Sequence, residues 1–543
     1  MRFRLQLSKH ELLFHIVSII LLTFILGYPL YRQCVTRPPG SVCVYSYGSW
    51  TDYFTYVSYI RQGSMYISPI NQYTTENMPP LSTHWFYGAI GAIGSAFKLH
   101  PIVIFHGSIY LSFLLYYAFA TLLVRHFLMG NYRYIAFFVV FFSGPFPPLL
   151  FSLGKESFTF TAIHWWTKMD PYWRHFQIPH HIFGLALMVA TVYFLLRFLR
   201  EKNFKWCIAA TFLQGIGTQV FPVPGTVVLI AYVLIILFLV LTSFTRAKLK
   251  NIRVVNKQLI VGTALFTIVS ILSIILTFQR LSSLNHYLDT LKWEYETFHQ
   301  EIEPYTFSNF IYSYGLLPLF FIVALPGILS RKRSQEVFLS LCFILPILFY
   351  VISLLEFFHM NKLRMIYTAP YVYGGILATI GIKDFIHTIH RRIVKRFVFS
   401  FLVVILLLNS IVTLKSHWVP WLTTLPIFLH TYPQKPYMDM AKYLDANLPV
   451  FTPVFTYYEL GILLPAFSYV KVFNGHDTAT MDGWNKDLIT KDFYAKKLSE
   501  DQARIVLKKY QIEYVIWDNS NTPYLFLDNI VSFDYVGLYK VRG

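Results

Sequence analysis

The sequence predicts a multi-span α-helical membrane protein that ends in a small α/β domain. Of the 543 residues, 55% are hydrophobic and 13% are charged, whereas a soluble domain carries about 25% charged residues. Apolar runs such as 12–30 and 226–244 recur along the chain, and a run of about 20 apolar residues spans a bilayer as a helix. After residue 414 the composition changes, and short segments rich in Val, Tyr and Phe replace the long apolar runs. Such segments are typical of strands.

About eleven stretches are predicted to cross the membrane. We interpret the first as a retained signal anchor, because it is long and no small-residue cleavage site follows it. The predicted spans lie near 12–30, 101–124, 133–151, 179–199, 206–221, 223–244, 258–278, 306–328, 336–355, 364–381 and 397–414.

Basic residues set the predicted topology. The net charge of +19 would suggest nucleic-acid binding in a soluble protein, but Lys and Arg concentrate in the cytoplasmic loops of membrane proteins. With a cytoplasmic N-terminus, the loops that fall inside are all basic, namely 125–133, 200–205, 245–257, 329–335 and 382–396. The loops that fall outside are 31–100, 152–178, 279–305, 356–363 and the tail after 414. We therefore expect a multi-pass protein of the plasma (cell) membrane that contacts membrane lipids and no nucleic acid.

A shorter apolar piece, FYGAIGAIGSAF at 86–97, is predicted to be a re-entrant segment or a short helix packed inside the protein. It is too short and too rich in glycine for a span. Counting it as a span would also place the basic loops from Arg125 to Arg396 outside.

The tail is predicted to form a soluble α/β domain on the outer face. We divide the chain into a transmembrane domain (1–415) that includes the first outer loop (31–100), a linker (416–435) and an outer domain (436–543). Within the outer domain we expect a helix near 437–448 and a second helix that opens with a capping box at Ser499 and Gln502. Predicted strands cover 450–459, 469–476, 512–518 and 533–541.

Two of the four cysteines, Cys34 and Cys43, flank a short segment of the first outer loop. In an oxidising compartment they could form a disulfide, and two free thiols are the alternative. Cys207 and Cys342 fall inside apolar runs, where we expect inert core thiols.

Unusual polar residues gather in the predicted outer loops, and ionisable groups near membrane depth favour a functional site. Asp52 is either a turn or helix-capping acid, or a general base or metal ligand, and its aromatic surroundings suit a base. Arg364 either snorkels to the interface or binds phosphate through its guanidinium fork. His180 and His181 are sequence neighbours and do not share a helix face, so one of them is expected to face the site. The predicted substrate-binding residues are Glu76, His84, Asp170, Arg174, His175, His180, His359 and Arg364.

Three segments resemble the GT-C membrane glycosyltransferases. The first outer loop, GSWTDYFTYVSYIRQG followed by NMPPLSTHWFYGAIGAIG, has an Asp after the first helix and a Pro-Pro-Leu element, as in that family. NKLRMIYTAPYVYGGILATIG resembles a late helix of the family, and residues 458–517 resemble an outer C-terminal domain found on many members. The resemblance implies transfer of a hexosyl or pentosyl group from a polyprenyl-phosphate donor to a glycan, lipid or protein acceptor at the outer leaflet.

By the same resemblance, Asp52 is the candidate base and Arg364 a candidate contact of the donor phosphate. The sequence departs from the family pattern in loop 152–178, where Asp170 is not part of an Asp-x-Asp or Glu-x-Asp pair. We therefore assign no metal ligand and leave a divalent cation, Mg²⁺ or Mn²⁺, open as a cofactor.

Two other function classes stay open. A transporter or flippase of lipid-linked glycans would be expected to show paired halves with broken helices near the midplane. The sequence shows no such internal repeat, and its polar residues gather on one face instead. A membrane assembly protein, whose C-terminal domain binds a partner, is the remaining alternative.

Overall fold

The computed structural model describes residues 8–46, 50–144, 178–246, 257–282, 314–331, 333–352, 354, 364–365, 370–402, 404–405, 411, 431–518 and 522–542. The part before residue 431 is helical. Its helices are α1 (Lys9–Val35), α2 (Trp50–Gln62), α3 (Trp85–Ala96), α4 (Pro101–Phe127), α5 (Tyr132–Phe142), α6 (Pro179–Glu201), α7 (Phe204–Val220), α8 (Pro222–Arg246), α9 (Lys257–Ser282), α10 (Leu317–Arg331), α11 (Ser334–Val351) and α12 (Pro370–Thr388).

The apolar runs of the sequence form the long helices. Within the described ranges, six helices are long and apolar enough to cross a bilayer, namely α1, α4, α6, α8, α9 and α11. This confirms the helical membrane architecture. The predicted count of about eleven spans remains a prediction, because segments such as 145–177 and 283–313 lie outside the described residues.

Helix boundaries follow local signals. α4 and α6 each begin with a proline in the first turn, where its missing N–H costs no hydrogen bond. α12 starts at Pro370, six residues later than the predicted span at 364–381, because a proline is tolerated in the first turn of a helix. The last predicted span, 397–414, overlaps helical residues at 392–402.

The first outer loop holds two helices, α2 and α3, that touch along their backbones. A Cβ atom added at Gly91 would lie 2.1 Å from the carbonyl oxygen of Ile60 in α2, and one at Gly88 would lie 2.1 Å from the carbonyl oxygen of Ile67 in the segment that follows α2. Only glycine permits so close an approach. The glycine-rich piece at 86–97 is thus part of a short helix packed against α2, one of the two alternatives predicted for it.

The described tail forms helices α13 (Lys435–Asn447), α14 (Tyr458–Phe467), α15 (Gly483–Tyr494) and α16 (Glu500–Lys509) and strands β1 (Pro453–Phe455), β2 (Lys471–Val472), β3 (Tyr514–Asp518), β4 (Leu527–Phe533) and β5 (Val536–Val541). The strands make one sheet in the order β2-β1-β3-β5-β4. β1 pairs in parallel with β2 and β3, whereas β5 pairs antiparallel with β3 and β4. The small sheet of the tail is therefore present. The domain boundaries at 415 and 436 remain predictions.

Two details of the tail differ from the prediction. The strand predicted over 450–459 ends at Phe455, and helix α14 begins at Tyr458, because its apolar run Leu460–Ala466 is buried on every side and packs as a core helix. β4 was not predicted, since it is an edge strand whose outward residues, such as Asp528 and Asn529, are polar and exposed. The predicted capping box is confirmed: the Gln502 N–H donates to Ser499 Oγ over 3.3 Å, and the Ser499 N–H donates to Gln502 Oε1 over 2.9 Å.

Cys34 and Cys43 form a disulfide with a Cα–Cα distance of 5.2 Å, which is the first of the two alternatives left open for this pair. The bridge ties the end of α1 to the chain that leads into α2. Cys207 and Cys342 are free and buried, as expected for core thiols.

The first outer loop and the tail pack into one structure. The Val472 N–H donates to the Gln72 carbonyl over 2.8 Å, and the Val42 N–H donates to the Pro433 carbonyl over 2.8 Å. Arg61 forms an ion pair with Asp445 over 2.5 Å. These contacts place residues of the tail against the part of the chain that holds α2, where Asp52 lies.

Candidate active site

Asp52 lies in the first turn of α2, where the positive end of the helix dipole favours a carboxylate. Its side chain is 29% exposed, so a substrate can reach it. His476, from the loop between β2 and α15, faces this carboxylate, with 3.9 Å between its Nε2 and Asp52 Oδ1. A carboxylate beside an imidazole is an arrangement that can handle a proton.

An aromatic wall continues from Asp52 along the same face of α2. Tyr56 lies one turn further along α2, and its ring stacks on that of Tyr87 with centroids 4.3 Å apart. Tyr87 Oη and His180 Nδ1 are hydrogen-bonded over 2.6 Å. The His180 ring packs edge-on to Tyr56 at 5.5 Å. Aromatic faces of this kind are suited to pack against the apolar face of a sugar ring.

The two adjacent histidines divide as expected from helix geometry. His180 joins the aromatic wall through Tyr56 and Tyr87. His181 instead stacks on Phe221 with ring centroids 4.6 Å apart, beside the start of α8. The structure thus brings His180, and not His181, to the side of α2 that carries Asp52.

His84 lies beside the aromatic wall, near Tyr56 and Tyr59. It lies at the end of a 3-10 turn before α3, and its ring packs edge-on against Tyr59 with centroids 5.0 Å apart. Burial, helped by the nearby His476, lowers the pKa of His84 to about 4. The ring is therefore neutral at physiological pH.

The lowered pKa of His84 makes the stability of the protein depend on pH. An unfolded histidine has a pKa of about 6.5, so between that pH and about 4 the unfolded chain binds more protons than the folded one. Stability is then fully present above pH ~6.5 and is lost as the pH falls towards ~4. We expect His84→Gln to weaken this loss, measured as the drop in Tm between neutral and mildly acidic buffer. The same substitution at the exposed His390 should leave the drop unchanged, and an unaltered drop in His84→Gln would contradict the assignment.

Glu76 is engaged by the tail. Its carboxylate accepts hydrogen bonds from the Thr74 hydroxyl and from Lys486 Nζ, the latter over 2.7 Å. Lys471 Nζ donates to the Glu76 carbonyl over 3.2 Å. Burial alone would raise the pKa of Glu76, but the hydrogen bonds from Lys486 and Thr74 outweigh it and lower this pKa. The contacts indicate a link between loop and tail, and the predicted role in substrate binding remains a prediction.

The other predicted site residues are less closely defined. Arg364 is partly buried in a short turn before α12, and its contact with a donor phosphate remains a prediction. Asp170, Arg174, His175 and His359 lie outside the described residues. The structure therefore brings together Asp52, His84 and His180 from the predicted set.

Sequence reasoning missed His476 and Lys486. Both come from the tail, about 400 residues after Asp52 and Glu76. The only local signal was the largely polar run at 474–480, which begins inside the strand predicted over 469–476 and is typical of loops that carry function.

Within the described residues, no three His, Cys, Asp or Glu side chains converge in a way that could hold a metal ion. Asp52 and His476 alone are too few for a closed site. We therefore derive no step of the chemistry through a metal.

Comparison with known structures places this geometry in a family of folds. The apo oligosaccharyltransferase of Archaeoglobus fulgidus superposes with a TM-score of 0.55 at 14% identity, over 94% of this chain and 70% of that chain. The AglB oligosaccharyltransferase of the same organism, in complex with an inhibitory peptide and a dolichol-phosphate, gives 0.52 at 12% identity, over 94% and 70%. The chain has the GT-C fold. This confirms the resemblance noted in the sequence.

ArnT from Cupriavidus metallidurans, bound to undecaprenyl phosphate, gives a TM-score of 0.48 at 12% identity, over 96% of this chain and 98% of that chain. No protein-family model and no curated protein matches the sequence. At sequence identities of 12–14%, structural similarity shows a shared fold and not a shared activity.

Proposed function

We propose that this GT-C chain is a membrane glycosyltransferase that moves a sugar from a lipid-phosphate donor to an acceptor at the outer face of the membrane. The observation that carries the proposal is the position of Asp52, which faces His476 at 3.9 Å and begins an aromatic wall that runs through Tyr56 to His180. Support for a lipid-phosphate donor comes from the AglB structure of the same fold, which holds a dolichol-phosphate.

The proposed reaction uses few protein groups. The nucleophilic atom of the acceptor attacks the anomeric carbon of the donor sugar, and the bond from that carbon to the phosphate oxygen breaks. The lipid phosphate leaves with the bonding electrons, and Asp52 takes the proton that the acceptor loses. Arg364 is the proposed cation that stabilises the charge on the leaving phosphate. Tyr56 and His180 are the proposed side chains that hold the sugar, and the buried Tyr87 packs behind them.

The test separates the classes of acceptor. Membranes that contain the full chain are incubated with dolichol-phosphate-linked and undecaprenyl-phosphate-linked hexoses and pentoses that carry a radiolabel. We expect label from at least one donor to appear in the lipid, glycan or protein fraction. Membranes that lack the chain serve as the control. The same distribution of label with and without the chain, for every donor, would refute the proposal.

The proposed outer-face position of the tail has its own test. With a cytoplasmic N-terminus, the basic loops of the sequence place residues 436–543 outside. We expect a reporter that is active only in the cytoplasm, fused after Gly543, to be silent, while the same reporter inserted in the basic loop 200–205 is active. A strong signal from the C-terminal fusion would place the tail on the other side of the membrane.

A further inference from the structure

One buried polar group at the site has no assigned role. His476 is only 6% exposed, and in the part of the chain that the structure describes its Nε2 atom has no hydrogen-bond partner. Leaving a buried donor unpaired costs free energy. The group to which Nε2 points is the carboxylate of Asp52, 3.9 Å away, a distance about 1 Å too long for a hydrogen bond.

The backbone fixes which nitrogen of His476 carries the proton. Nδ1 accepts hydrogen bonds from the Thr478 N–H over 3.1 Å and the Ala479 N–H over 3.2 Å. In the neutral ring the proton is therefore on Nε2, which can only donate. The charged and titratable groups that face this ring are Asp52, Asp477 and His84, and the Tyr73 ring packs beside it. Burial lowers the pKa of His476, which keeps this neutral form at physiological pH.

The loop that carries His476 is held in place from below. The Thr480 hydroxyl accepts the N–H of His476 over 3.0 Å and donates to the Tyr73 carbonyl over 2.9 Å. A Cβ atom added at Gly461 on α14 would lie 1.9 Å from the Asn474 carbonyl oxygen, so helix and loop are in direct backbone contact. The imidazole is therefore held in a fixed position. The carboxylate of Asp52, which is partly exposed, has to move about 1 Å closer to accept a hydrogen bond from it.

We infer that His476 is a positioning residue for the transfer, donating its Nε2–H to the carboxylate of Asp52 and so orienting that carboxylate for the acceptor. The inference rests on the proposed function of Asp52 as the base. Hydrogen bonds of catalytic groups are often long in a free enzyme and shorten in the complex with substrate. The proton stays on His476 throughout, while Asp52 accepts the proton of the acceptor. The tail is therefore needed to complete the site.

Two substitutions at this position separate the donor from the loop geometry. Asn can replace Nδ1 as the acceptor for the backbone N–H groups but has no group at the position of Nε2, whereas Gln places an N–H₂ donor there. We expect His476→Asn to lower kcat roughly 10- to 100-fold with little change in KM, as for loss of a hydrogen bond to a charged group. We expect His476→Gln to stay within a few-fold of the wild-type protein.

The pH profile gives a readout that a purely structural role would not move. A hydrogen bond to a carboxylate favours its charged form, so its loss should move the acid limb of kcat to higher pH by about one unit in His476→Asn. In His476→Gln the limb should stay in place. His126 provides the control. It lies in the last turn of α4 and is hydrogen-bonded to Gln335 over 3.1 Å, and His126→Asn should change neither kcat nor the acid limb of the pH profile. The assay uses the full chain and a donor that the wild-type protein turns over in the labelled panel.

The outcomes distinguish the two proposals. Wild-type kcat and an unmoved acid limb in a folded His476→Asn protein would overturn the positioning role, while loss of transfer in Asp52→Asn would leave the proposed function standing. Full transfer in Asp52→Asn would remove Asp52 as the base and with it the positioning role of His476, whereas absence of transfer by the wild-type protein would overturn the proposed function itself. A measurement that leaves position 476 unchanged covers the case of a misfolded variant: with ¹⁵N-labelled histidine, one Nε2 resonance should shift between the wild-type protein and Asp52→Asn. If no histidine resonance shifts, the inference is wrong.

Discussion

Asp52→Asn is expected to fold, insert and bind the donor while sugar transfer falls by roughly 10²–10⁴-fold, the usual contribution of a general base. The amide has nearly the shape of the carboxylate but cannot accept a proton at neutral pH. The side chain is 29% exposed and lies in the first turn of α2, so the substitution is not expected to disturb the packed core. Transfer is measured with the labelled donor at matched protein concentration, and donor binding is measured separately.

A second acid provides the matched control for this substitution. Asp439 lies in α13, with Lys435 Nζ and Lys442 Nζ at 3.8 and 3.7 Å, and it is 28% exposed, close to the value for Asp52. Asp439→Asn should leave transfer unchanged. Full activity of Asp52→Asn at the same expression level would remove Asp52 from the mechanism and return it to the role of a helix-capping acid.

Glu76→Gln is expected to destabilise the protein by about 3 kcal/mol, because removing one partner of a buried pair leaves the other charge uncompensated. Lys486 is fully buried beneath the first outer loop, and Glu76 is its carboxylate partner at 2.7 Å. Rings of Phe473 and Tyr510 cover the ammonium at 5.0 and 5.3 Å. The measurement is the Tm of the full chain in detergent, which should fall clearly below that of the wild-type protein.

Replacing the lysine of this pair should destabilise the protein less than replacing the glutamate. Lys486→Met removes the buried charge and keeps an aliphatic chain, and it leaves Glu76, which is 29% exposed, partly in contact with solvent. The double variant Glu76→Gln/Lys486→Met should therefore be more stable than Glu76→Gln alone. A double-mutant cycle measures this difference. Lys491→Met on the same helix breaks an exposed pair with Asp487 at 2.6 Å, and only a small change in Tm is expected because exposed ion pairs contribute little stability. If Glu76→Gln lowers the Tm no more than Lys491→Met does, the Glu76–Lys486 pair does not stabilise the contact between loop and tail.

Much of the fold could be predicted because its signals are local. A run of about 20 apolar residues determines a spanning helix by itself, so α1, α4, α6, α8 and α9 follow from the sequence. The Ser499 capping box is equally local. α14 was mistaken for the end of a strand because a short apolar run has the same composition in a buried helix and a buried strand. The edge strand β4 was missed because half of its residues face solvent.

The candidate site could be predicted only in part, for a related reason. Asp52, His84 and His180 were found because acids and histidines are rare in aromatic loops near a membrane. Glu76 was found by the same signal, but its partner Lys486 lies 410 residues away in sequence, and one sequence gives no sign of that contact. His476 was hidden in the same way. Its proposed role depends on the proton of Nε2, whose position is fixed because two backbone N–H groups donate to Nδ1, and only the folded loop reveals those contacts.

Cleavage of the donor by the purified chain tests the central claim most directly. The full chain is reconstituted in sealed vesicles that contain a polyprenyl-phosphate-linked sugar from the labelled panel together with the acceptor fraction that takes up label. Both the intact donor and the free polyprenyl phosphate are then quantified, along with the leaflet in which the donor lies. The proposed function predicts that free polyprenyl phosphate appears in step with transferred sugar, and that Asp52→Asn lowers both by the same factor. A donor that stays intact while it moves from one leaflet to the other would contradict the proposed function and identify the chain as a flippase.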